Sequence, residues 1–249
     1  MEADQQGLRV AAATAGGLVS AQGLRVALNM GNPILTGSTS GRAAPAGVAV
    51  DLSEALAETL GVRPVFLCLR TAAECLEALS GGSADVSFMA VDPQRADSLS
   101  FSSPYLEIAG AYAVHRDSDL VSNAQVDRPG NAIAVGVGSA YELFLSRALK
   151  HAHLHRIAYS EEVIQEMLKE GLAAAAGIRQ QLQAALADFP QARLLDENFM
   201  VIHQAMALPA GRDPSALAAL ESFLRHARRS GLIEASMARH GVEGARVAG

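Results

Sequence analysis

Short apolar runs alternate with amphipathic stretches through the first third of the chain, and that alternation leaves few folds open. Leu24–Leu28 and Pro64–Leu69 have strand length, and between them Asp51, Leu52, Leu56 and Leu60 recur at helical spacing from Val48 to Gly61. Gly61 stands where a helix C-terminus takes a residue tolerant of positive φ. A second helix is expected from about Ala72 to Ser80, stopped by Gly81-Gly82 ahead of a third apolar run at Asp85. Strand, helix, strand, helix, strand predicts an α/β fold built on a largely parallel sheet.

The third run, Asp85 to Val91, breaks at Asp92-Pro93, because the residue before proline is pushed out of the α region. Arg95 then follows a turn at the end of that strand, where loops of α/β proteins hold ligands. A guanidinium there offers a planar fork of donors suited to a carboxylate. A surface arginine in an ion pair is the plain alternative. Phe88, Met89 and Ala90 on the same run fit either the wall of a ligand site or the core.

Further on, Ala109–His115 reads as a strand and Asp117–Gly130 as a polar, turn-rich segment. The run Ile133 to Glu142 passes from a strand through Gly136-Val137-Gly138-Ser139-Ala140-Tyr141 into a helix expected over Leu143–Lys150. Strand, glycine turn, small hydroxyl and helix start present free backbone N–H groups and the positive dipole end to an anion. The glycine spacing is wrong for a dinucleotide fingerprint. His151, His153 and His155 suggest a metal, but Arg147, Lys150 and Arg156 crowd them with positive charge and no acidic ligand completes a set. A solvated helix end is the better reading of that run. Glu161–Glu170 forms an amphipathic helix, and Leu172–Arg179 a strand. A short segment at Arg193–Glu197, a strand at Phe199–Leu208, a helix at Ser215–Arg229 and a last short helix complete the chain.

Half of the 249 residues are hydrophobic and 18% are charged, which marks a globular chain. A net charge of −6, with Lys150 and Lys169 as the only lysines, argues against nucleic acid as a partner. Cys68 and Cys75 have neither zinc nor redox spacing and are read as structural. No segment reaches the roughly 20 apolar residues of a membrane span. Ala11–Val19 is leader-like, though Glu2 and Asp4 make a poor positive flank for a secretion signal.

The order of apolar strand, Asp92-Pro93-Gln94-Arg95 and Phe101-Ser102-Ser103-Pro104-Tyr105 resembles the polar amino-acid family of bacterial solute-binding proteins, the two-lobed receptors of ABC importers. The resemblance spans Leu24 to Gly241. In that family a Thr-x-x-Arg stretch precedes Phe-Ser-x-Pro-Tyr, and its arginine clamps the ligand's carboxylate. Here Asp92 replaces the threonine, and the loop from strand to arginine is shorter than the family's. The resemblance places Asn29 at a common aspartate and Asn32 at an aromatic that covers the ligand, although asparagines also simply suit turns. Gly47-Val48-Ala49-Val50-Asp51-Leu52 is similar to the family's approach to the first helix. Gly138-Ser139-Ala140 stands for Gly-Thr-Thr. Arg179, with Gly177 and Ile178 before it, falls at or beside the aspartate that holds the ligand's ammonium.

The resemblance therefore implies a type II periplasmic-binding-protein-like fold of two lobes, each a mixed, mostly parallel sheet flanked by helices, with two crossover strands as hinge. Residues 24–113 and 205–249 would form one lobe, 114–204 the other, and 1–23 a leader-like or disordered N-terminus. It implies a non-enzymatic, monomeric receptor in the periplasm that closes on a small anionic or zwitterionic ligand and delivers it to an ABC-importer membrane subunit. No cofactor or metal is implied. Arg179 in place of a carboxylate argues against a standard α-amino acid, with Arg179 facing a second acid group instead. Expected ligand contacts are Asn29, Asn32, Phe88, Met89, Ala90, Arg95, Gly138, Ser139, Ala140, Tyr141, Gly177 and Arg179. A cytosolic or sensory binding protein of the same fold, and a dehydratase-like enzyme on it, are the alternatives.

Overall fold

The computed structural model describes residues 17–20, 22–37 and 44–249. The leader-like run before residue 17 and the middle of the Asn29–Gly47 loop lie outside the described residues. The chain divides into two compact units, residues up to Leu106 with His203–Gly249, and Glu107–Ile202. Both crossings come earlier than the boundaries placed from sequence, at 113/114 and 204/205.

The first unit begins with β1 (Leu24–Asn29), α1 (Val48–Leu60), β2 (Pro64–Leu69), α2 (Ala72–Ser80), β3 (Val86–Ala90) and β4 (Leu99–Phe101). The second holds β5 (Leu106–His115), α3 (Asn123–Val126), β6 (Ala132–Gly136), α4 (Ala140–Ala148), β7 (His153–Ile157), α5 (Val163–Glu170), β8 (Ala174–Ile178) and α6 (Arg179–Ala185). The long β9 (Ala192–Pro209) leads back, and α7 (Pro214–Arg229), α8 (Leu232–Arg239) and β10 (Arg246–Val247) finish the chain.

In the first unit β1 lies parallel to both β2 and β3, as strand–helix–strand connections require. The end of β9 pairs antiparallel with β3 and β4. Gly47 opens α1 at φ 128°, and a Cβ there would stand 2.5 Å from the Leu35 carbonyl oxygen, so only glycine fits. Thr71 caps α2 by accepting from the Glu74 N–H. Ala27, Cys75, Leu79, Ala84, Met89, Leu99 and Ala207 fill the space between sheet and helix.

Asp85, 1% exposed, fastens the starts of β1 and β3. Its carboxylate takes Arg25 Nε at 3.0 Å and Nη2 at 2.8 Å, the Arg25 backbone N–H at 3.1 Å and Arg212 Nη2 at 2.9 Å. Burial alone would raise the Asp85 pKa, but these donors outweigh it and hold the group below the usual carboxylate range. A second carboxylate, Asp51 on α1, accepts from Ser236, Arg239 and His240 and so docks α8.

In the second unit β6 lies parallel to β7 and β8, and β8 is antiparallel to β5. Ala113, Ala134, Ala175 and Ala192 on the strands leave room for Val163, Ile164 and Met167 of α5 and Leu182 of α6. Phe199 on β9 packs against Tyr112, ring centroids 4.5 Å apart, and Phe144 at 6.2 Å.

Two segments differ from the sequence reading. Lys150–Arg156 contains the strand β7 rather than a helix end, because Asp127 accepts the backbone N–H groups of Lys150, His151 and Ala152 and turns the chain into the sheet. Arg193–Glu197 and Phe199–Leu208 form one continuous strand, joined through Asn198 on an exposed stretch with Asp196 and Glu197.

Candidate functional site

The residues expected to contact a ligand fall into two groups, one in each unit. In the first unit the expected contacts gather at the C-terminal end of the parallel strands. Asp92 caps a single 3-10 turn, Pro93–Arg95, accepting the Gln94 N–H at 2.9 Å. The turn folds Arg95 back over the strand it follows: it is 3% exposed, and its Nη1 donates to the Ala90 carbonyl at 3.0 Å. A nearly sealed guanidinium is an unusual placement for a charge that solvates well. Arg95 also acts on Cys75: burial pushes that thiol up to about 12, and the guanidinium pulls the other way.

Asn29 and Asn32 build the loop beside it. Asn29 Oδ1 accepts from Gly31 N–H at 3.1 Å, and Asn32 Oδ1 from Ile34 N–H at 3.2 Å. Both oxygens are thus engaged in Asx-type turns. Phe88 sets its ring edge-on to Tyr105, centroids 5.8 Å apart. Met89 points to the opposite face and is taken up in the core cluster with Cys75 and Leu79, so the core use of this side chain is the one realised.

In the second unit α4 starts at Ala140, ahead of the expected Leu143, because Ser139 caps it: Ser139 Oγ accepts from Glu142 N–H at 3.1 Å and its carbonyl from Leu143 N–H. The first N–H groups of a helix have no acceptor within it, which leaves those of Ala140 and Tyr141 as donors at the helix start. Gly138 sits just before at φ 68°, a conformation that favours glycine. Tyr141 itself is 3% exposed; burial pushes its phenol up to about 12, against the pull of the Ser160 and Ser139 hydroxyls.

Arg179 is the main correction. Its Nη2 reaches the carbonyls of Leu195, Asp196 and Glu197 at 2.9 to 3.0 Å, and its Nε donates to Asn198 Oδ1 at 2.5 Å. The guanidinium braces β9 of its own unit instead of facing a second acid group. Gly177, in β8, lets Leu182 close in: a Cβ there would lie 3.1 Å from Leu182 Cδ2. Among the described residues no group of three or more His, Cys, Asp or Glu could hold a metal ion.

Two residues went unnoticed in the sequence. Ser160 backs the Gly136 turn so closely that a Cβ on Gly136 would meet its Oγ at 2.2 Å. Gln204 is 4% exposed in β9, directly opposite Ala90. A lone carboxamide within the apolar run Phe199–Leu208 was the available signal.

Solved structures similar in fold include a mutant of ArgBP from T. maritima, at 21% identity over 89% of this chain and 96% of that one, with TM-score 0.76. A histidine kinase sensor domain with similarity to periplasmic binding proteins is 19% identical over 91% of this chain and 98% of that one, TM-score 0.78. The ancestral amino acid-binding protein AncCDT-1, a precursor of cyclohexadienyl dehydratase, is 23% identical over 88% and 95%, TM-score 0.72. The fold is therefore that of the two-lobed periplasmic binding proteins. No match is found among curated proteins. The family of bacterial extracellular solute-binding proteins, family 3, matches residues 24–243, and the chain belongs to it.

Proposed function

We propose that this protein is a monomeric receptor, working outside the cytoplasmic membrane, that takes a small carboxylate-bearing ligand and hands it to an ABC importer. Arg95 grips the carboxylate, and the main-chain N–H groups of Ala140 and Tyr141 at their helix start offer the ligand further donors. The observation that carries this reading is the burial of Arg95 to 3% exposure at a strand end, held by the Ala90 carbonyl. Asn29, Asn32, Phe88, Ala90, Gly138 and Gly177 complete the surroundings.

The ligand is not a standard α-amino acid. By the resemblance Arg179 falls at or beside the place of an ammonium-binding carboxylate, and Asn29 offers a neutral amide where an aspartate is common. No general acid or base stands at Gly177–Arg179, so the protein binds rather than dehydrates its ligand. Thermal melting with matched pairs, glutarate against glutamate and propionate against alanine, tests the ligand class. The des-amino acid is expected to raise Tm at least as far as its partner; a rise given by the amino acid alone contradicts the assignment.

The likeness to a histidine kinase sensor domain favours one second reading, in which the same binding event feeds a signal instead of a transporter. Reconstituting uptake with the host's importer subunits separates the two.

A further inference from the structure

Gln204 is a buried polar residue that the fold leaves without a use. Its carboxamide oxygen is sealed from solvent and meets no hydrogen-bond partner among the described residues. Burying an amide oxygen in this state is costly, and native structures seldom tolerate it without a bound water or ligand. The surroundings say where the missing partner belongs. Gln204 lies in β9, one residue past the return crossing at Ile202–His203. It pairs with Ala90, whose carbonyl anchors Arg95 Nη1, and cross-strand partners project to the same face. Alternation along β3 puts Phe88 on that face and Met89 on the other. Tyr105 donates its backbone N–H to the Gln204 carbonyl at 2.8 Å, and its hydroxyl is a second buried oxygen without a partner among the described residues.

We propose that Gln204 is a specificity-determining residue of the binding site, its carboxamide accepting a hydrogen bond from a neutral donor, a hydroxyl or amide group, on the carboxylate ligand. The inference rests on the reading of Arg95 as the carboxylate clamp. A side-chain carboxamide fits this task because it recognises neutral polar groups without adding charge beside the guanidinium. A site built to hydrogen-bond a ligand hydroxyl rejects the analogue that lacks it, since the amide is then left unpaired.

Wild type, Gln204→Leu and Arg95→Ala are compared by thermal melting, alone and with lactate against propionate and malate against succinate. Leucine matches the glutamine in size and removes the orphaned oxygen, so Gln204→Leu is expected to melt at or above wild type without ligand. The wild type is expected to favour one hydroxy acid over its plain partner by about tenfold in Kd, and Gln204→Leu to bind both members alike. Arg95→Ala loses response to all four. A Gln204→Leu protein that keeps the hydroxyl preference, or that melts well below wild type with no ligand present, overturns the role of Gln204 while leaving Arg95 in place. A wild type that responds to none of the four, or equally to both members of each pair, overturns it as well. Only an undiminished response in Arg95→Ala counts against the clamp itself.

Discussion

At 3% exposure the Arg95 guanidinium is buried at the end of β3 with its Nη1 on the Ala90 carbonyl, whereas Arg179 reaches three carbonyls and an asparagine of β9. The two arginines carry one charge each, and only their surroundings separate a candidate clamp from a brace. Arg95 was legible because a strand, a proline break and a turn fix its place within a few residues. Arg179 was not, because its partners lie 16 to 19 positions away on a strand whose packing no local pattern reveals. Arg179→Ala is expected to lower stability by about 1–2 kcal/mol through the lost bonds and to leave ligand response intact; thermal melting with and without ligand checks both. The cysteines offer a separate test of the core. Cys68 is exposed, while Cys75 is buried with its thiol pushed up to about 12. A thiol reagent at pH 8 should therefore modify one cysteine in the native protein and both after denaturation; rapid reaction of both would contradict the packing of α2.

The turn from β6 into α4 is the element on which the second half of the proposed site depends. Gly136 has no space for a methyl group, since its neighbours Ser160 Oγ and Ser160 Cα would lie 2.2 and 3.0 Å from a Cβ. Gly136→Ala should therefore displace the turn, lowering Tm and weakening ligand binding together. Ser139→Ala removes the cap of α4 and is expected to cost about 1 kcal/mol of stability. It should weaken binding less than Gly136→Ala does, because the main-chain donors remain; calorimetric unfolding with parallel binding titrations distinguishes the two. The parallel strands and their helices could be read from periodicity and from glycine stops. The histidine run was misread because its charges suggested a solvated helix end, while the decisive feature was Asp127, which gathers three N–H groups from a distance in sequence. Gln204 escaped notice for a related reason: burial of a lone polar residue in a strand is settled by what covers it.

For the whole molecule, acid stability should follow the Asp85 pair of arginines. A carboxyl group with a folded pKa below its unfolded value adds stability that is fully present above the unfolded value, about 3.9, and is lost as pH falls through the folded one. Asp85→Asn is expected to lose about 3 kcal/mol at neutral pH, because it leaves Arg25 and Arg212 without their buried partner. The difference from wild type should shrink in melts below that carboxyl range. The family sets the larger expectation, that folding serves ligand capture. Thermal melting of wild type and Arg95→Ala against a panel of small mono- and dicarboxylates tests this most directly. Saturation a hundredfold above Kd stabilises by about 2.7 kcal/mol, a rise of roughly 5–10 °C for a chain of this size. At least one acid should produce that rise in wild type and none in Arg95→Ala; an equal rise in both proteins would contradict the account.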